Sequence, residues 1–453
     1  MSSLNDLFFQ THQEWQTDGP PKSTMVGTGP LFRTVSKGPR TDWAGGTVSG
    51  GSVKGLVPVR SKRNGNQGPA YSKVYTNATG YGGERFEQDL SEQWEILRVR
   101  AKFLEVLKNP AAMESGMSGL MDDMEQAVMG WGTSMSQVLW QDGKGAFGCG
   151  DGAYSVAGDT IQLLNYNSAR CFEVGDVLRL IPRATYDAAV RGARPAARTG
   201  TITVASVNEK TGEITVEEAD ISVAIAGAAN TDVISKDSYY PDTAEDTDTG
   251  PNMAGVYTWL ARTETEAVQT VYGVDCGTYP TRLAGRRIEL TGAESPYEIL
   301  SLVMEEAVVA GARPDMVSVP SGQVSKLIQE LAARNMLVKD VKIGAEQPQN
   351  MTYGVTASGV QWGEIRAAIV SDQWQINHFV TKDNDISYTA LQMSDFGLTT
   401  TSSGISWKDW DGDGTYLVQK GGTQGLEAAY GSYAAFRCED TGHQIYAGVG
   451  TNA

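Results

Sequence analysis

SPYEILSLVMEEAVVAGARPDMVSV, residues 295–319, decides the fold class of the later half of this chain. Ser295 stands where a helix N-cap should be, Pro296 at the first helical position and Glu298 at the third, which together make a capping box. Ile299, Leu300, Val303, Met304 and Ala307 recur at helical spacing, and Gly311 closes the helix. Asp315–Val319 is a short apolar run with strand length. A second helix starts at Ser321 and carries Val324, Leu327, Ile328 and Leu331 on one stripe. Strand-like runs follow at Ile365–Val370 and Trp374–Val380, so residues 295–395 read as an α/β layer. Residues 396–453 read as a β-rich, Gly-rich tail.

Upstream the period changes. Gly175–Ile181, Thr201–Val204, Glu213–Val216 and Val233–Ile234 have strand patterning, and Asn208-Glu-Lys-Thr-Gly212 is a hairpin turn with glycine where φ > 0 is easy. Residues 172–235 are therefore expected to fold by themselves as a small inserted barrel or sandwich, followed by a linker from Asp237 to Pro251. Between Pro110 and Trp140, Met113, Met117, Leu120, Met121, Met124, Val128, Trp131, Met135 and Leu139 mark the apolar stripe of a long helix. Four glycines weaken it, each by ~1 kcal/mol relative to alanine, so packing must hold it. Residues 53–108 read as an extended β-hairpin whose turn cluster, Arg60–Gly68, is basic. Residues 1–52 are rich in Gly, Pro, Ser and Thr and have the composition of an arm. The overall fold class is α+β.

The 453 residues hold 37 Lys and Arg against 54 Asp and Glu, a net charge of −17. Bulk charge of that sign does not hold a chain to a phosphate backbone. The charge is unevenly spread. Residues 33–108 carry 13 Lys and Arg against seven Asp and Glu, whereas residues 109–143 carry no Lys or Arg and the acids Glu114, Asp122, Asp123, Glu125 and Asp142. Arg60, Lys62 and Arg63 at the hairpin tip and Asp122, Asp123 and Glu125 on the helix are candidate contact residues between copies of the chain. No apolar run reaches the ~18 residues of a membrane span, and Met1–Asp6 do not begin a secretory signal. A cytoplasmic origin is expected, and no membrane partner.

Catalytic chemistry is not written in the sequence. Cys149, Cys171, Cys276 and Cys438 are widely spaced, which argues for buried single thiols rather than disulfides or zinc. His12, His378 and His443 form no metal motif, and neither a G-x-S-x-G elbow nor a Walker loop occurs. Gly148-Cys-Gly-Asp-Gly152 lacks a following Lys-Ser or Lys-Thr and reads as a loop. Asp409, Asp411 and Asp413 copy the first positions of a calcium loop, but Lys420 stands where its bidentate Glu belongs, so a turn is the better reading and a calcium site the weaker one. No cofactor is expected, and no enzyme.

The order of arm, basic hairpin, long helix, β insertion, α/β layer and β-rich tail resembles the major capsid proteins of tailed bacteriophages. Tyr272-Gly-Val-Asp-Cys-Gly277, Arg313-Pro-Asp-Met-Val317 and Gly363-Glu-Ile365 are similar local stretches. The resemblance implies an N-terminal arm (1–52), an extended loop (53–108), a spine helix with the first part of a peripheral domain (109–171) and an inserted β domain (172–235). It further implies a second peripheral part (236–294), an axial domain (295–395) and a C-terminal return (396–453). The implied role is a structural subunit that assembles through hexamers and pentamers into an icosahedral head around double-stranded DNA, in the host cytoplasm. Portal, scaffolding or decoration proteins would be partners, and DNA contact would be weak and non-specific. Three other readings stay open: an adhesin or tail-associated binding module, the shell of a bacterial protein nanocompartment, and a carboxylate-based hydrolase.

Overall fold

Capping chemistry sets both ends of the helix Pro296–Ala310. The Ser295 hydroxyl accepts from the Glu298 amide at 3.3 Å and the Glu298 carboxylate accepts from the Ser295 amide at 2.9 Å. Gly311 ends the helix in the left-handed region at φ 72°. The five stripe residues from Ile299 to Ala307 are all buried. The computed structural model describes residues 28–37, 48–49, 52–60, 83–89, 91–99, 129–240, 253–333, 354–355, 359–362, 365–375, 386–400, 404–406 and 426–449. These fall into two compact units. One is drawn from segments 1–32, 92–136 and 400–434, the other from segments 33–91, 137–399 and 435–453.

In the first unit, residues 129–136 are helical and Trp131 meets Phe32 edge-to-face, with ring centroids 6.0 Å apart. The Ser136 hydroxyl accepts from the Gly29 amide at 3.1 Å and donates to the Gly132 carbonyl at 2.7 Å. Strands Ser91–Val99 and Gly404–Ser406 both pair with Leu426–Cys438. Residues 110–128 of the expected long helix lie outside the described residues.

The second unit holds the α/β layer. Its seven-stranded sheet runs Arg286–Leu290, Ile445–Val449, Ser387–Leu391, Met316–Ser318, Ile365–Val370, Gly359–Trp362 and Gly354–Val355. Two neighbouring pairs are parallel, Arg286–Leu290 with Ile445–Val449 and Met316–Ser318 with Ile365–Val370. Helices Pro296–Ala310 and Ser321–Ala333 close over it through one buried cluster that includes Leu300, Met304, Val317, Leu327, Tyr388 and Ile445. Ile328 departs from the expected stripe. It is 45% exposed, because the turn that buries Leu327 and Leu331 rotates their neighbour outward. Trp374 and Gln375 are not a strand. Asp372 accepts from the Trp374 amide and makes a turn there, while residues 376–380 lie outside the described ones.

The same unit carries a ribbon. Ser52–Arg60 pairs antiparallel with Gly83–Asp89, from Lys54 opposite Asp89 to Arg60 opposite Gly83, and Val48–Ser49 adds a two-residue third strand. Tyr71–Thr76, whose alternation also reads as a strand, lies outside the described residues. Phe86 is buried and meets Trp259 edge-to-face at 5.3 Å.

The β insertion is wider than residues 172–235. Its six-stranded antiparallel sheet runs Gly148–Cys149, Val233–Lys236, Val177–Ile181, Ile202–Asn208, Glu213–Val216 and Thr160–Gln162. The hairpin across Gly212 is as expected, with φ 70° at that glycine. Gly148-Cys149, by contrast, is a buried strand at one end of this order and not a loop, since Cys149 and Gly148 register against Val233 and Ile234. One cluster of Ala146, Cys149, Ile181, Tyr186 and Val233 spans both sides of the expected boundary. Removing residues 172–235 therefore strips Cys149 and Ile161 of their partners. We expect that deletion, bridged by a short Gly/Ser linker, to abolish cooperative thermal unfolding as followed by circular dichroism. Retention of a sharp transition would mean that the insertion folds apart from the rest.

Candidate functional site

The side chains singled out in the sequence as contact residues, Arg60, Lys62, Arg63, Asp122, Asp123 and Glu125, lie outside what the structure describes, although the backbone of Arg60 ends its strand. Asp409, Asp411 and Asp413 lie outside it too. Among the described residues, no three metal-ligating side chains come together and no helix is long and apolar enough to cross a membrane. All four cysteines are free and buried.

The densest chemistry is a buried ionic knot that sequence reasoning missed. Arg262 sits at its centre. One nitrogen, Nη2, reaches Asp142 Oδ2 at 2.9 Å and Glu266 Oε1 at 2.6 Å, and Nε reaches Glu266 Oε2 at 3.2 Å. Asp142 Oδ2 also accepts from the Tyr186 hydroxyl at 2.7 Å, and Asp142 Oδ1 from the Lys144 amide at 3.0 Å. Lys144 Nζ donates to the Tyr186 carbonyl at 3.2 Å and lies 4.8 Å above the Tyr186 ring. Asp142 belongs to no solvated acidic face, since it is 2% exposed and paired across 120 residues of sequence. The signal that could have found the knot is Arg262-Thr-Glu-Thr-Glu266. There Thr263 caps the turn Glu264–Ala267, and Arg262 and Glu266 stand four apart.

Burial and pairing compete at each member. Burial favours the neutral form of Glu266, yet Arg262, Arg191 and Lys144 outweigh it and hold the carboxyl far below its usual range. Burial opposes the Arg262 charge, and Glu266 and Asp142 overcome it and push the guanidinium well above its ordinary value. At Lys144 burial wins and lowers the ammonium, while at Tyr186 burial and Asp142 together raise the phenol.

Aromatic side chains surround this knot. Tyr257 lies between Trp140 at 5.9 Å and Tyr446 at 6.1 Å, and Trp259 donates from Nε1 to the Phe436 carbonyl at 3.1 Å. Tyr272 and Gly273 form the turn between Thr270–Val271 and Val274–Asp275, and the Tyr272 ring packs against Trp259 at 5.6 Å. Next to that turn opens a cleft of about 410 Å³ lined by Arg191, Gly192, Ala193, Arg194, Thr270 and Tyr272. Gly192 has φ 78°, and a Cβ there would stand 2.8 Å from Tyr272 Cζ and Oη, so a larger residue would strain the backbone and displace that ring. A second polar group lies just before the strand Ile445–Val449, where His443 Nδ1 is 3.2 Å from Asp395 Oδ2 and 3.5 Å from Asp440 Oδ2.

Replacing Arg262 by Met would leave two carboxylates buried without their cation, a loss of ~3–5 kcal/mol in chemical denaturation. Acid should weaken the wild type by the same logic. In the unfolded chain Glu266 takes up its proton near its ordinary value of 4.5, while in the folded chain it resists. The unfolded state then binds more protons, so stability is full above that pH and declines as pH falls below it. Glu266→Gln is expected to flatten this acid limb, and an unchanged slope in that variant would assign acid sensitivity elsewhere.

No protein-family model and no curated protein matches the chain. Among solved structures, the cyanophage A-1(L) capsid asymmetric unit aligns over 96% of this chain and 98% of its own, at 8% identity and a TM-score of 0.47. A Mycobacterium phage Ogopogo structure aligns over 95% of each chain at 10% identity, with a TM-score of 0.37. A Gordonia phage Cozz structure aligns over 96% of this chain and 90% of its own, at 8% identity and a TM-score of 0.37. These three structures carry bacteriophage names, and one of them is a capsid asymmetric unit.

Proposed function

We propose that the chain is a major capsid protein, a self-assembling, non-enzymatic subunit of an icosahedral phage head that encloses double-stranded DNA. The observation that carries this reading is the ribbon of Ser52–Arg60 and Gly83–Asp89. Seven paired positions at about 3.3 Å each make a ribbon some 20 Å long. Phe86 seats one strand of the ribbon on Trp259 of its own chain, but a ribbon with a two-residue third strand is marginal in water and gains from a further surface. A neighbouring copy of the same chain supplies such a surface at every position of a closed shell. The resemblance in the order of segments supports the same reading, with 1–52 as arm, 53–108 as extended loop and the helix from 109 as spine. Four free buried thiols suit assembly in a reducing host cytoplasm before the subunit becomes part of the virion. A net charge of −17 suits a container that must release its DNA. Hexamers and pentamers are the assembly units under this reading, with portal, scaffolding or decoration proteins as partners.

Negative-stain microscopy of the purified chain tests the proposal, with and without a scaffolding partner. Rings or closed shells are the expected result, and a chain that stays monomeric under both conditions would sink it. The contact chemistry has its own test. Arg60, Lys62 and Arg63 are proposed to meet Asp122, Asp123 and Glu125 of a neighbouring copy. One exposed pair contributes ~0–1 kcal/mol, but the set repeats at every interface and weakens with salt. Reversing the three basic residues to Glu should abolish shell yield in sedimentation without altering circular dichroism. Reversing the three acids to Lys in the same chain should restore part of the yield. Full assembly of the first variant would show that the basic tip faces solvent.

A further inference from the structure

His443 is the one histidine among the described residues, and its Nδ1 faces two carboxylates, Asp395 Oδ2 at 3.2 Å and Asp440 Oδ2 at 3.5 Å. Asp395 ends the turn Met393–Asp395, through which the chain leaves the strand Ser387–Leu391 for the strand Phe396–Thr400. Asp440 caps and His443 ends the turn by which Leu426–Cys438 returns the chain to Ile445–Val449. The departing and returning strands are neighbours in one sheet, and Phe396 stacks on Phe436 with ring centroids 5.1 Å apart. One imidazole therefore stands between the two segments at the root of that pair. Further bonds tie the same point: the Asp395 carbonyl accepts from the Glu439 amide at 2.8 Å, Gln444 Nε2 donates to Asp395 Oδ2 at 3.2 Å, and Gln444 Oε1 accepts from the Gln392 amide at 2.9 Å.

Two carboxylates at one point call for a cation. Burial raises the Asp395 carboxyl above its ordinary value, His443 pulls it back and Asp440 adds to the rise. Charged groups on the elements packed here have partners of their own. Arg437 pairs with Glu439, and on the helix Pro296–Ala310 Glu306 pairs with Arg286. The Arg282 guanidinium lies 5.7 Å from the Tyr279 ring, and Asp315 accepts from the Met393 amide at 3.1 Å. Arg313 donates its main-chain amide to Gln392 Oε1 at 2.7 Å. Burial pushes the Cys438 thiol well above its ordinary value, so it stays neutral. A neutral imidazole with its hydrogen on Nδ1 serves one carboxylate and leaves the other uncompensated, whereas the protonated ring carries a charge that serves both. We propose that Asp395, Asp440 and His443 form a proton-operated latch, which fastens the departing segment to the returning one when the group takes up a proton and loosens when the proton leaves. Because the Asp395 carboxyl is raised in the folded chain, the folded state binds more protons than the unfolded one, so fastening is complete at low pH and is lost as pH rises through the folded value. The imidazole carries the response into the range of about pH 5–8, where histidine side chains change charge. The latch belongs to the folded subunit and stands whether or not the chain builds a shell.

Hydrogen exchange of the full chain, read by mass spectrometry from about pH 5 to about pH 8, tests the latch. Each rate is divided by the intrinsic rate of the same peptide at that pH. Protection of residues 392–396 and 438–444 is expected to fall roughly two- to fivefold as pH rises across the range, the scale of a partly exposed ion pair. The hairpin of Ile202–Asn208 and Glu213–Val216, remote in sequence from the latch, should stay level and serves as control. In His443→Gln the fall should disappear. Asp440 is 49% exposed and asparagine is an equally good cap, so Asp440→Asn keeps the fold and should reduce the fall. Circular dichroism checks both variants, and Asp440→Asn alone decides the matter where His443→Gln does not fold. A level wild-type profile, a fall of undiminished size in the folded variants, or a parallel fall in the control hairpin would overturn the proposal.

Discussion

Among the described residues, a single buried guanidinium ties distant stretches of the chain together. Arg262 gathers a carboxylate from the segment after the helix at 129–138 and another from its own turn, and through Asp142 it fixes the phenol of Tyr186 in the β insertion. Three stretches of sequence that share no strand are thereby brought to one buried point. Buried ion pairs contribute little net stability when they form, but they forbid alternatives, because any arrangement that separates the partners strands a charge in a dry interior. The apolar packing of Tyr257 against Trp140 and Tyr446 would tolerate small shifts, whereas the hydrogen-bond geometry around Arg262 does not.

This explains where sequence reasoning succeeded and where it fell short. The helix Pro296–Ala310 was legible to the residue because its cap, stripe and terminator are local chemistry. So was the hairpin across Gly212, whose turn is set by a few adjacent residues. The insertion's edges were not legible, because Gly148–Cys149 becomes a strand only through Val233–Ile234, far along the chain. Glycine-rich composition there argued for a loop and tertiary pairing overrode it. The knot was invisible for the same reason. Asp142 looked like one more acid on an acidic stretch, and nothing near it in sequence names Arg262 as its partner.

The two kinds of charge in this protein play different parts. The chain as a whole carries a large acidic excess, whose exposed part acts at long range and is screened by salt. The interior carries a small set of charges at hydrogen-bond distance, where screening hardly reaches. Assembly through exposed charges would be tuned by ionic strength, while the integrity of each subunit would be tuned by acidity. Under the proposed reading, salt would loosen the contacts between subunits without unfolding the subunits themselves.

The strand Ile445–Val449 lies between Arg286–Leu290 and Ser387–Leu391 and not at an edge of the seven-stranded sheet. A ribosome must therefore deliver residue 449 before either neighbour has its full complement of hydrogen bonds. Until then two strand edges stand open, and helices that cover the sheet lack Ile445 beneath them. A product that stops short of this strand cannot complete the layer. Strand closure by so late a segment makes the seven-stranded sheet the last part of the described fold to be secured.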